Sequence, residues 1–434
     1  MLKRNFRWIT VFWILFIAVV AYFDRVNFSV SASLISKEFG LNPAQLGIIM
    51  SGFTFGYLLS SFPGGLLSQR FPSRVIITVS LIGWSIATIF TGIAWSFVSL
   101  LLARIIFGIL EGPFFPNANK IISAWVLPKD RGLASGLWIT GVPIGIVIGN
   151  LISVGIIGSL GWRSIFYIFG SLGVIMAIIT WRILRDQPKE HPLITKEEKE
   201  LIESSQAQFR GDAVSDSKGS TVIQLLKNPW VWVITLTYFV FTLVFWANVN
   251  WLPTYFIQAR GSNIMEAGVN SSIPWIAMGM GTLILCRLAD TGKGYKSPWL
   301  AFSLFAMAPT IAYAVITPSV IACLVSFSLA SFFVGGAIGL VPAHLIDLFE
   351  VADVPKVHGL VLTGGSLAGV IAPILVGFVL QITDSFNYAY YVFSFLAFVG
   401  GLLGLALFYN EKKVLQGKAF ISTVQSTDEP GYRS

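Results

Sequence analysis

Charged residues are scarce in this chain of 434 residues. Only 12% of its residues are Asp, Glu, Lys or Arg, whereas 55% are hydrophobic. A soluble protein carries roughly twice that fraction of charge. The composition therefore excludes a soluble globular protein. Recurring apolar stretches long enough to cross a bilayer predict a membrane protein that spans the lipid many times.

Cysteine and histidine are also rare, with two and three copies. Cys286 and Cys323 fall in or beside apolar segments and are not spaced as a metal site, so neither a disulfide framework nor a metal is expected. No nucleophile–base set or nucleotide-binding loop indicates an enzyme or a cofactor. The net charge of +8 would suggest nucleic acid for a soluble protein. Here it is explained by membrane topology, and no nucleic acid partner is expected.

The apolar segments predict an all-α membrane protein with twelve transmembrane helices. Lipid permits only helices or closed barrels, and the long apolar blocks lack the alternation of a barrel strand. The approximate limits of the spans are 9–33, 46–67, 75–95, 97–123, 133–155, 163–184, 229–257, 266–288, 298–317, 319–347, 357–381 and 387–409. We divide the chain into an N-terminal six-helix half, 1–184, a central loop, 185–228, a C-terminal six-helix half, 229–410, and a tail, 411–434.

Lysine and arginine concentrate in alternate loops. They begin at the N-terminus with Lys3, Arg4 and Arg7 and recur in the central loop and in the tail. By the positive-inside rule, both termini and the central loop are expected in the cytoplasm. Within the central loop, Thr195-Lys-Glu-Glu198 is a capping-box pattern that predicts one short amphipathic helix.

Four charged residues lie at membrane depth in spans 1 and 4, namely Asp24, Arg25, Arg104 and Glu111. From the helical rise, Asp24, Arg104 and Glu111 lie about 15, 10 and 21 Å below the outer boundary. An ionised side chain there costs at least about 2.5–3.5 kcal/mol and indicates a functional site. Successive residues point about 100° apart on a helix, so Asp24 and Arg25 cannot face each other. Each therefore needs a partner elsewhere.

Two acids and two bases make this cluster formally neutral. An arginine binds a carboxylate through two hydrogen bonds and keeps its own proton. A buried carboxylate whose cation is drawn away binds a proton more readily. An incoming anion that competes for arginine would therefore promote proton binding at Asp24 or Glu111, which is what symport requires. A structural charge network is the alternative.

His344 and Asp347, at the end of span 10, form a weaker pair that an interfacial cap or a proton relay would explain.

Span 5 carries glycines at four-residue spacing, Gly141, Gly145 and Gly149. This spacing is typical of helices that pack closely through small residues. Pro143 predicts a bend in the same span. It does not complete an antiporter motif, so exchange is not inferred from it.

The segments that follow spans 2 and 8 form a weak internal repeat, residues 65–74 and 286–296. Both resemble the cytoplasmic gating motif of the major facilitator superfamily. The first copy has Gln69 in place of the acid, and the second has Cys286 in place of the glycine. The resemblance implies two six-helix halves with a site between them near the midplane. It also implies a cytoplasmic gate formed by Arg70, Arg74 and Asp290.

Four motifs narrow this resemblance: 22–29 around Asp24 and Arg25, 104–116, 191–198 and 250–255. Together they resemble the anion:cation symporter family, which imports organic anions with protons. The resemblance implies that Arg25 binds the carboxylate, with Tyr22 and Tyr57 lining the pocket. It implies proton sites at Asp24 and Glu111, with Arg104 beside Glu111.

Two positions depart from the sugar-acid members of that family. Their span 5 glutamine is replaced by Pro143, and their span 11 asparagine by Ser366. Sites for polyols select through satisfied buried hydrogen bonds. The departures therefore favour a less hydroxylated, smaller or more apolar carboxylate, although Asn248, Asn250 and Thr363 could compensate. We assign Asn250 and Ser366 to the predicted substrate site.

The sequence thus predicts a proton-coupled importer of an organic anion that works by alternating access. Its expected partners are the anion, protons and the lipid bilayer. A bacterial inner membrane is expected, because the outer loop at 34–45 lacks the long insertion of animal members. A monomer is expected as the default for the architecture that the resemblance implies. The alternatives are an anion exchanger or uniporter without proton coupling and, with less support, a membrane sensor, for which the tail is too short to form an output domain.

Overall fold

The structure of the protein is a computed structural model that describes residues 5–212, 219–291, 295–350 and 352–427. Within these ranges the regular secondary structure is helical, which confirms the predicted all-α membrane protein. Lys3, Arg4, residues 292–294 of the second motif copy and residues 428–434 of the tail lie outside the described residues.

Twelve helical segments in the described ranges are long and apolar enough to cross a membrane. They confirm the predicted spans and are numbered 1 to 12 below. Their bounds are Phe6–Phe39, Pro43–Leu67, Ser73–Ile93, Phe97–Trp125, Pro128–Leu160, Trp162–Ile183, Pro229–Arg260, Ile264–Thr291, Ser297–Ile316, Val320–Leu348, Val354–Thr383 and Phe386–Gln416. Several extend beyond the predicted limits, because hydropathy marks only the apolar part of a helix.

Local sequence sets where several of these helices begin and end. Span 1 stops at Gly40, which has a positive φ of 61° that favours glycine. Span 2 starts at a complete capping box: Gln45 N–H donates to the Asn42 side chain at 2.8 Å, and Asn42 N–H donates to the Gln45 side chain at 3.0 Å. Pro43 occupies the first helical position, where no N–H is needed.

Spans 4 and 5 are interrupted. Span 4 consists of Phe97–Glu111 and Phe114–Trp125, with Gly112 and Pro113 between the two helices. In span 5, Arg131–Ile139 gives way at Thr140 to Gly141–Leu160. Pro143 cannot donate a backbone hydrogen bond to the carbonyl four residues earlier. The break one turn before it agrees with the predicted bend.

By internal contacts the chain forms two units. Unit 1 comprises Met1–Asp216, Trp246–Ile276 and Gly369–Ala389, and unit 2 comprises Ser217–Phe245, Ala277–Ala368 and Tyr390–Ser434. The predicted halves divide at the central loop, whereas unit 1 also contains parts of spans 7, 8, 11 and 12.

In unit 1, glycines bring spans 1 and 5 together. A Cβ added at Gly145 would lie 2.7 Å from Tyr22 Cβ, and one added at Gly149 would lie 2.8 Å from Val26 Cγ2. Larger residues at these positions would force the two helices apart. The glycine spacing of span 5 therefore fixes how closely it packs against the helix that carries Asp24 and Arg25.

Parts of spans 7 and 11 join span 2 within unit 1. Thr54 Oγ1 donates to the Gly369 carbonyl and Ser51 Oγ to the Val370 carbonyl, both at 2.7 Å. Trp251 Nε1 donates to the Pro373 carbonyl at 3.1 Å. Pro373 has no N–H to donate to the Gly369 carbonyl four residues earlier in span 11, and this is the carbonyl to which Thr54 donates.

In unit 2, Glu411 caps the start of span 9. Its carboxylate accepts the backbone N–H of Lys296 at 2.9 Å and that of Ser297 at 3.0 Å. His344 Nδ1 lies 3.2 Å from Glu411 Oε1, and both side chains are fully buried. In unit 1, Asp186 accepts the backbone N–H of Ser73 and that of the next residue at the start of span 3. Equivalent helix starts are thus capped in equivalent ways.

The described part of the central segment contains two α-helices, Lys196–Asp212 and Val222–Lys227, where one short helix was predicted. The Thr195 hydroxyl accepts Glu198 N–H at 3.2 Å, as a capping box requires. The Glu198 carboxylate does not close the box. It accepts the backbone N–H groups of Phe6 at 2.9 Å and of Arg7 at 3.1 Å, and so caps span 1. The helix Lys196–Asp212 is therefore held against the start of span 1 within unit 1.

We predict that Glu411→Ala destabilises the protein by about 1–2 kcal/mol, the usual cost of a lost helix cap, since two backbone N–H groups and His344 lose their acceptor. The check is the thermal unfolding temperature in detergent. Lys412→Ala, at an exposed neighbouring position, serves as the control. Equal unfolding temperatures for Glu411→Ala and wild type would contradict the capping role.

A second prediction concerns pH and His191. Its ring packs on Phe6 with centroids 3.9 Å apart, and burial lowers the pKa of His191, helped by the positive charge of Arg185. Below about pH 6.5 the unfolded chain therefore binds the proton first. Stability should fall from that pH until the lower folded pKa is reached.

The check is the unfolding temperature between pH 7.5 and pH 5, in wild type and in His191→Asn. In wild type, Leu193 N–H donates to His191 Nδ1 at 3.1 Å. The asparagine side chain also offers an acceptor for this N–H, but it does not titrate. The variant should lose less stability than wild type over this range. A pH dependence identical to that of wild type would show that His191 is not responsible.

Candidate functional site

Unit 1 buries four charged side chains in spans 1 and 4. Asp24 is 1% exposed, Arg25 4%, Arg104 3% and Glu111 0%. These are the four residues that the sequence placed at membrane depth. Charges this far from water need compensation from partners within the protein.

Arg25 and Glu111 form a buried ion pair. Arg25 Nε donates to Glu111 Oε1 at 2.8 Å, and Arg25 Nη2 donates to the same oxygen. Glu111 Oε2 has no hydrogen-bond partner among the described residues. No hydrogen bond from Arg25 Nη1 is found in that part of the chain either. The pair therefore leaves one carboxylate oxygen and one guanidinium edge unused.

Asp24 does not pair with Arg25, as the helical geometry predicts. Neither of its carboxylate oxygens has a hydrogen-bond partner among the residues that the structure describes. Thr88 and Trp84 of span 3 lie beside the carboxylate, and their own polar atoms are equally unpaired there. Among the described residues, the buried Asp24 carboxylate thus has no cation within hydrogen-bonding distance.

Arg104 is held mainly by aromatic rings. Its guanidinium carbon lies 5.0 Å from the ring centre of Phe28, 5.1 Å from that of Phe107 and 5.4 Å from that of Phe53. Nη1 makes one long hydrogen bond, 3.5 Å, to the backbone carbonyl of Asp24. Arg104 shares one face of span 4 with Glu111, but Arg25 takes the ion pair.

Five aromatic rings surround the Arg25 guanidinium. Their centres lie 4.3 to 5.9 Å from its central carbon and belong to Tyr22, Phe53, Tyr57, Phe115 and Trp246. Such contacts stabilise the buried cation. Tyr22 and Tyr57 were predicted here, whereas Phe53, Phe115 and Trp246 were missed. Helical spacing could have found them, because each lies four residues from a predicted site residue: Tyr57, Glu111 and Asn250.

The two remaining predicted substrate residues belong to different units. Asn250 is buried in unit 1, and its Nδ2 donates to the Trp246 carbonyl at 2.8 Å. Ser366 belongs to unit 2. Its hydroxyl donates to the Leu362 carbonyl on its own helix at 3.0 Å. The roles of both in binding stay predictions.

The predicted gate residues also occupy different surroundings. The Arg74 guanidinium lies 3.8 Å above the Trp181 ring and donates to the Trp181 carbonyl, which ties span 3 to span 6. Arg70 is exposed and, with Arg74, lines a cavity of about 480 Å³ beside Asp186. Asp290 is exposed in unit 2. A role in gating stays a prediction for all three.

Ser297, His344 and Glu411 have the connectivity of a nucleophile–base–acid triad. Ser297 Oγ lies 3.1 Å from His344 Nε2, and His344 Nδ1 lies 3.2 Å from Glu411 Oε1. Ser297 and His344 are fully buried, so no substrate reaches the hydroxyl. The predicted pairing of His344 with Asp347 is wrong, because Asp347 pairs with Lys296 and Glu411 takes the histidine.

Comparison with known proteins identifies the family of this chain. The model of the Major Facilitator Superfamily matches residues 14–322 and 261–426. The chain belongs to this superfamily. A crystal structure of a bacterial homolog of the human lysosomal transporter Spinster, inward-facing and occupied, matches with a TM-score of 0.75 and 19% identity. That match covers 95% of this chain and 97% of the other, and it shows a shared fold.

Two curated relatives are similar over nearly their whole length. One is a probable galactarate/D-glucarate transporter of Bacillus subtilis, 29% identical over 92% of this chain and 90% of the relative. The other is a probable sulfoacetate transporter of Cupriavidus necator, 28% identical over 94% of this chain and 93% of the relative. The protein is a transporter and not an enzyme. The resemblance to organic-anion carriers drawn from the sequence motifs is confirmed.

We predict that Arg25→Met destabilises this transporter by about 3–5 kcal/mol, because it leaves Glu111 buried without its cation. The double variant Arg25→Met with Glu111→Gln should recover much of that loss, since position 111 then carries no charge that needs the missing cation. The measurement is the thermal unfolding temperature of the three proteins in one detergent. A double variant less stable than Arg25→Met would contradict the ion pair.

Proposed function

We propose that the protein imports an organic anion together with protons by alternating access. The observation that carries the proposal is the Arg25 guanidinium, which holds Glu111 through Nε and Nη2 and keeps Nη1 unused. The named relatives are probable transporters of galactarate, D-glucarate and sulfoacetate, all of them organic anions. An arginine in a buried site is suited to bind the acidic group that these compounds share.

Competition for Arg25 couples the anion to the proton. An anion that binds Nη1 and rotates the guanidinium weakens its bonds to Glu111. The released carboxylate of Glu111 is fully buried. Without a cation beside it, burial favours the protonated carboxyl over the ionised carboxylate. Anion binding then promotes proton binding, and a bound proton frees Arg25 for the anion. This mutual assistance is the thermodynamic requirement of symport.

Asp24 is the second proton site in this mechanism. It is a buried acid beside Thr88 and Trp84, and it has no cation partner among the described residues. Two protons with one monoanion carry one net positive charge inward. Uptake would then respond to membrane voltage, by about 2.3 kcal/mol per charge per 100 mV.

The proposed membrane topology, oligomeric state and gate follow from the sequence. Alternate basic loops place both termini and the central segment in the cytoplasm. We propose a bacterial inner membrane and a monomeric carrier, with the gate residues Arg70, Arg74 and Asp290 on the cytoplasmic side.

An anion exchanger without proton coupling is the second candidate. The observation that favours it is the double hydrogen bond from Arg25 to one oxygen of Glu111. If the arginines never release the acids, one proton or none would move. Such a carrier would exchange anions across the membrane and would not accumulate them under a proton gradient.

The deciding experiment is uptake of labelled carboxylates into proteoliposomes under an inward proton gradient. Wild type should accumulate its substrate, and Glu111→Gln should lose at least 90% of gradient-driven uptake but retain counter-flow. Glu203→Gln, at an exposed position of the central helix, is the matched control and should behave as wild type. Equal accumulation by Glu111→Gln and wild type would remove Glu111 as a coupling residue. Rapid exchange with no accumulation by wild type would favour the exchanger.

A further inference from the structure

The rings around Arg25 form one continuous surface. The Phe53 ring centre lies 5.9 Å from that of Tyr57 and 6.0 Å from that of Trp246. Tyr57 continues to Phe115 at 6.4 Å, and Phe115 to Trp138 at 5.3 Å. These spacings are those of packed aromatic pairs. We call the three half-buried members, Tyr57, Phe115 and Trp246, the aromatic wall.

The wall adjoins the Arg25 guanidinium, whose Nη1 makes no hydrogen bond to a described residue. Tyr57, Phe115 and Trp246 all lie within 6 Å of the central carbon of Arg25. Phe53 and Tyr22 are buried behind it. An anionic group that reaches Nη1 therefore brings the rest of its molecule against these three half-exposed rings.

The wall offers much apolar surface and few polar atoms. Only the Tyr57 hydroxyl and the Trp246 indole N–H can form hydrogen bonds from it. A polyol bound against such a surface would have hydroxyl groups without hydrogen-bond partners. Unpaired buried polar groups weaken binding strongly, so the site would select against a polyol. A flat apolar body gains ring contact instead. The cluster of Asp24, Arg25, Arg104 and Glu111 is also formally neutral. A substrate with a single negative charge therefore suits the Nη1 edge of Arg25.

We propose that the substrate is an aromatic monocarboxylate, held by Arg25 through its carboxylate and by Phe115 and Trp246 through its ring. This proposal rests on organic-anion transport as the proposed function. It assigns Phe115 and Trp246 as the residues that set specificity. Trp246 lies outside the four sequence motifs, and Phe115, inside the 104–116 motif, was assigned no role from sequence.

The test is direct binding to purified protein in lipid nanodiscs by titration calorimetry, without a proton gradient. The probes are benzoate and 4-hydroxybenzoate, cyclohexanecarboxylate as a non-aromatic ring of similar size, and gluconate as a polyol. Benzoate or 4-hydroxybenzoate should bind at least tenfold more tightly than gluconate. Cyclohexanecarboxylate should fall between them.

Variants then locate the preference. Phe115→Leu and Trp246→Leu should each weaken binding of the aromatic acid at least fivefold and leave gluconate binding unchanged. Trp246→Phe, which keeps a ring, should retain most of the preference. Phe90→Leu, at an exposed position of span 3, is the control for a lost phenyl ring.

Three outcomes would overturn the proposal. Gluconate binding as tightly as the aromatic acids would show a polyol site, and organic-anion transport would still stand. Equal weakening of all probes by the leucine variants would show that the rings only hold Arg25 in place. Absence of binding by every carboxylate would remove both the aromatic substrate and the proposed transport of carboxylates.

Discussion

Burial of opposite charges in an apolar bundle is the constraint on which this structure depends. Each ionised group there loses its hydration, and only a partner within the protein makes up for the loss. Arg25 and Glu111 satisfy that condition for each other, on two different spans. The aromatic rings add favourable contacts to the cation without forming a competing ion pair. The ion pair is thus compensated within the bundle. Arg25 Nη1 and Glu111 Oε2 still make no hydrogen bond to a described residue.

Helix packing brings these charges to one place. Spans 1 and 5 approach through Gly145 and Gly149, and the contacts at Gly145 include Tyr22. Spans 2 and 4 approach through Gly56 and Gly108, each of which faces backbone of the other helix. Phe53 and Tyr57 lie on span 2, and Arg104 and Glu111 lie on span 4. Small residues thus position the rings and charges, although they make no polar contact themselves.

Carboxylates at helix starts form a second system, distinct from the membrane charges. Asp186 and Glu411 each accept two successive backbone N–H groups, at the starts of spans 3 and 9. Glu198 does the same for span 1 from the central segment. Capping by an acid that is distant in sequence fixes one helix end against another element. Only the unit 2 example adds a histidine, since His344 bonds Glu411.

The sequence by itself determined the helical class, the twelve spans and the four membrane-depth charges, because apolar length and charge position are local properties of the chain. Helical angles also showed that Asp24 and Arg25 cannot pair. The tertiary structure was needed to show that Arg25 pairs with Glu111 and that Glu411 rather than Asp347 contacts His344. It was also needed to show that the Asp24 carboxylate has no cation partner among the described residues. It also placed Phe115 and Trp246 beside Arg25. These pairings join residues dozens to hundreds of positions apart, and their geometry is set by how helices pack, which no local pattern records.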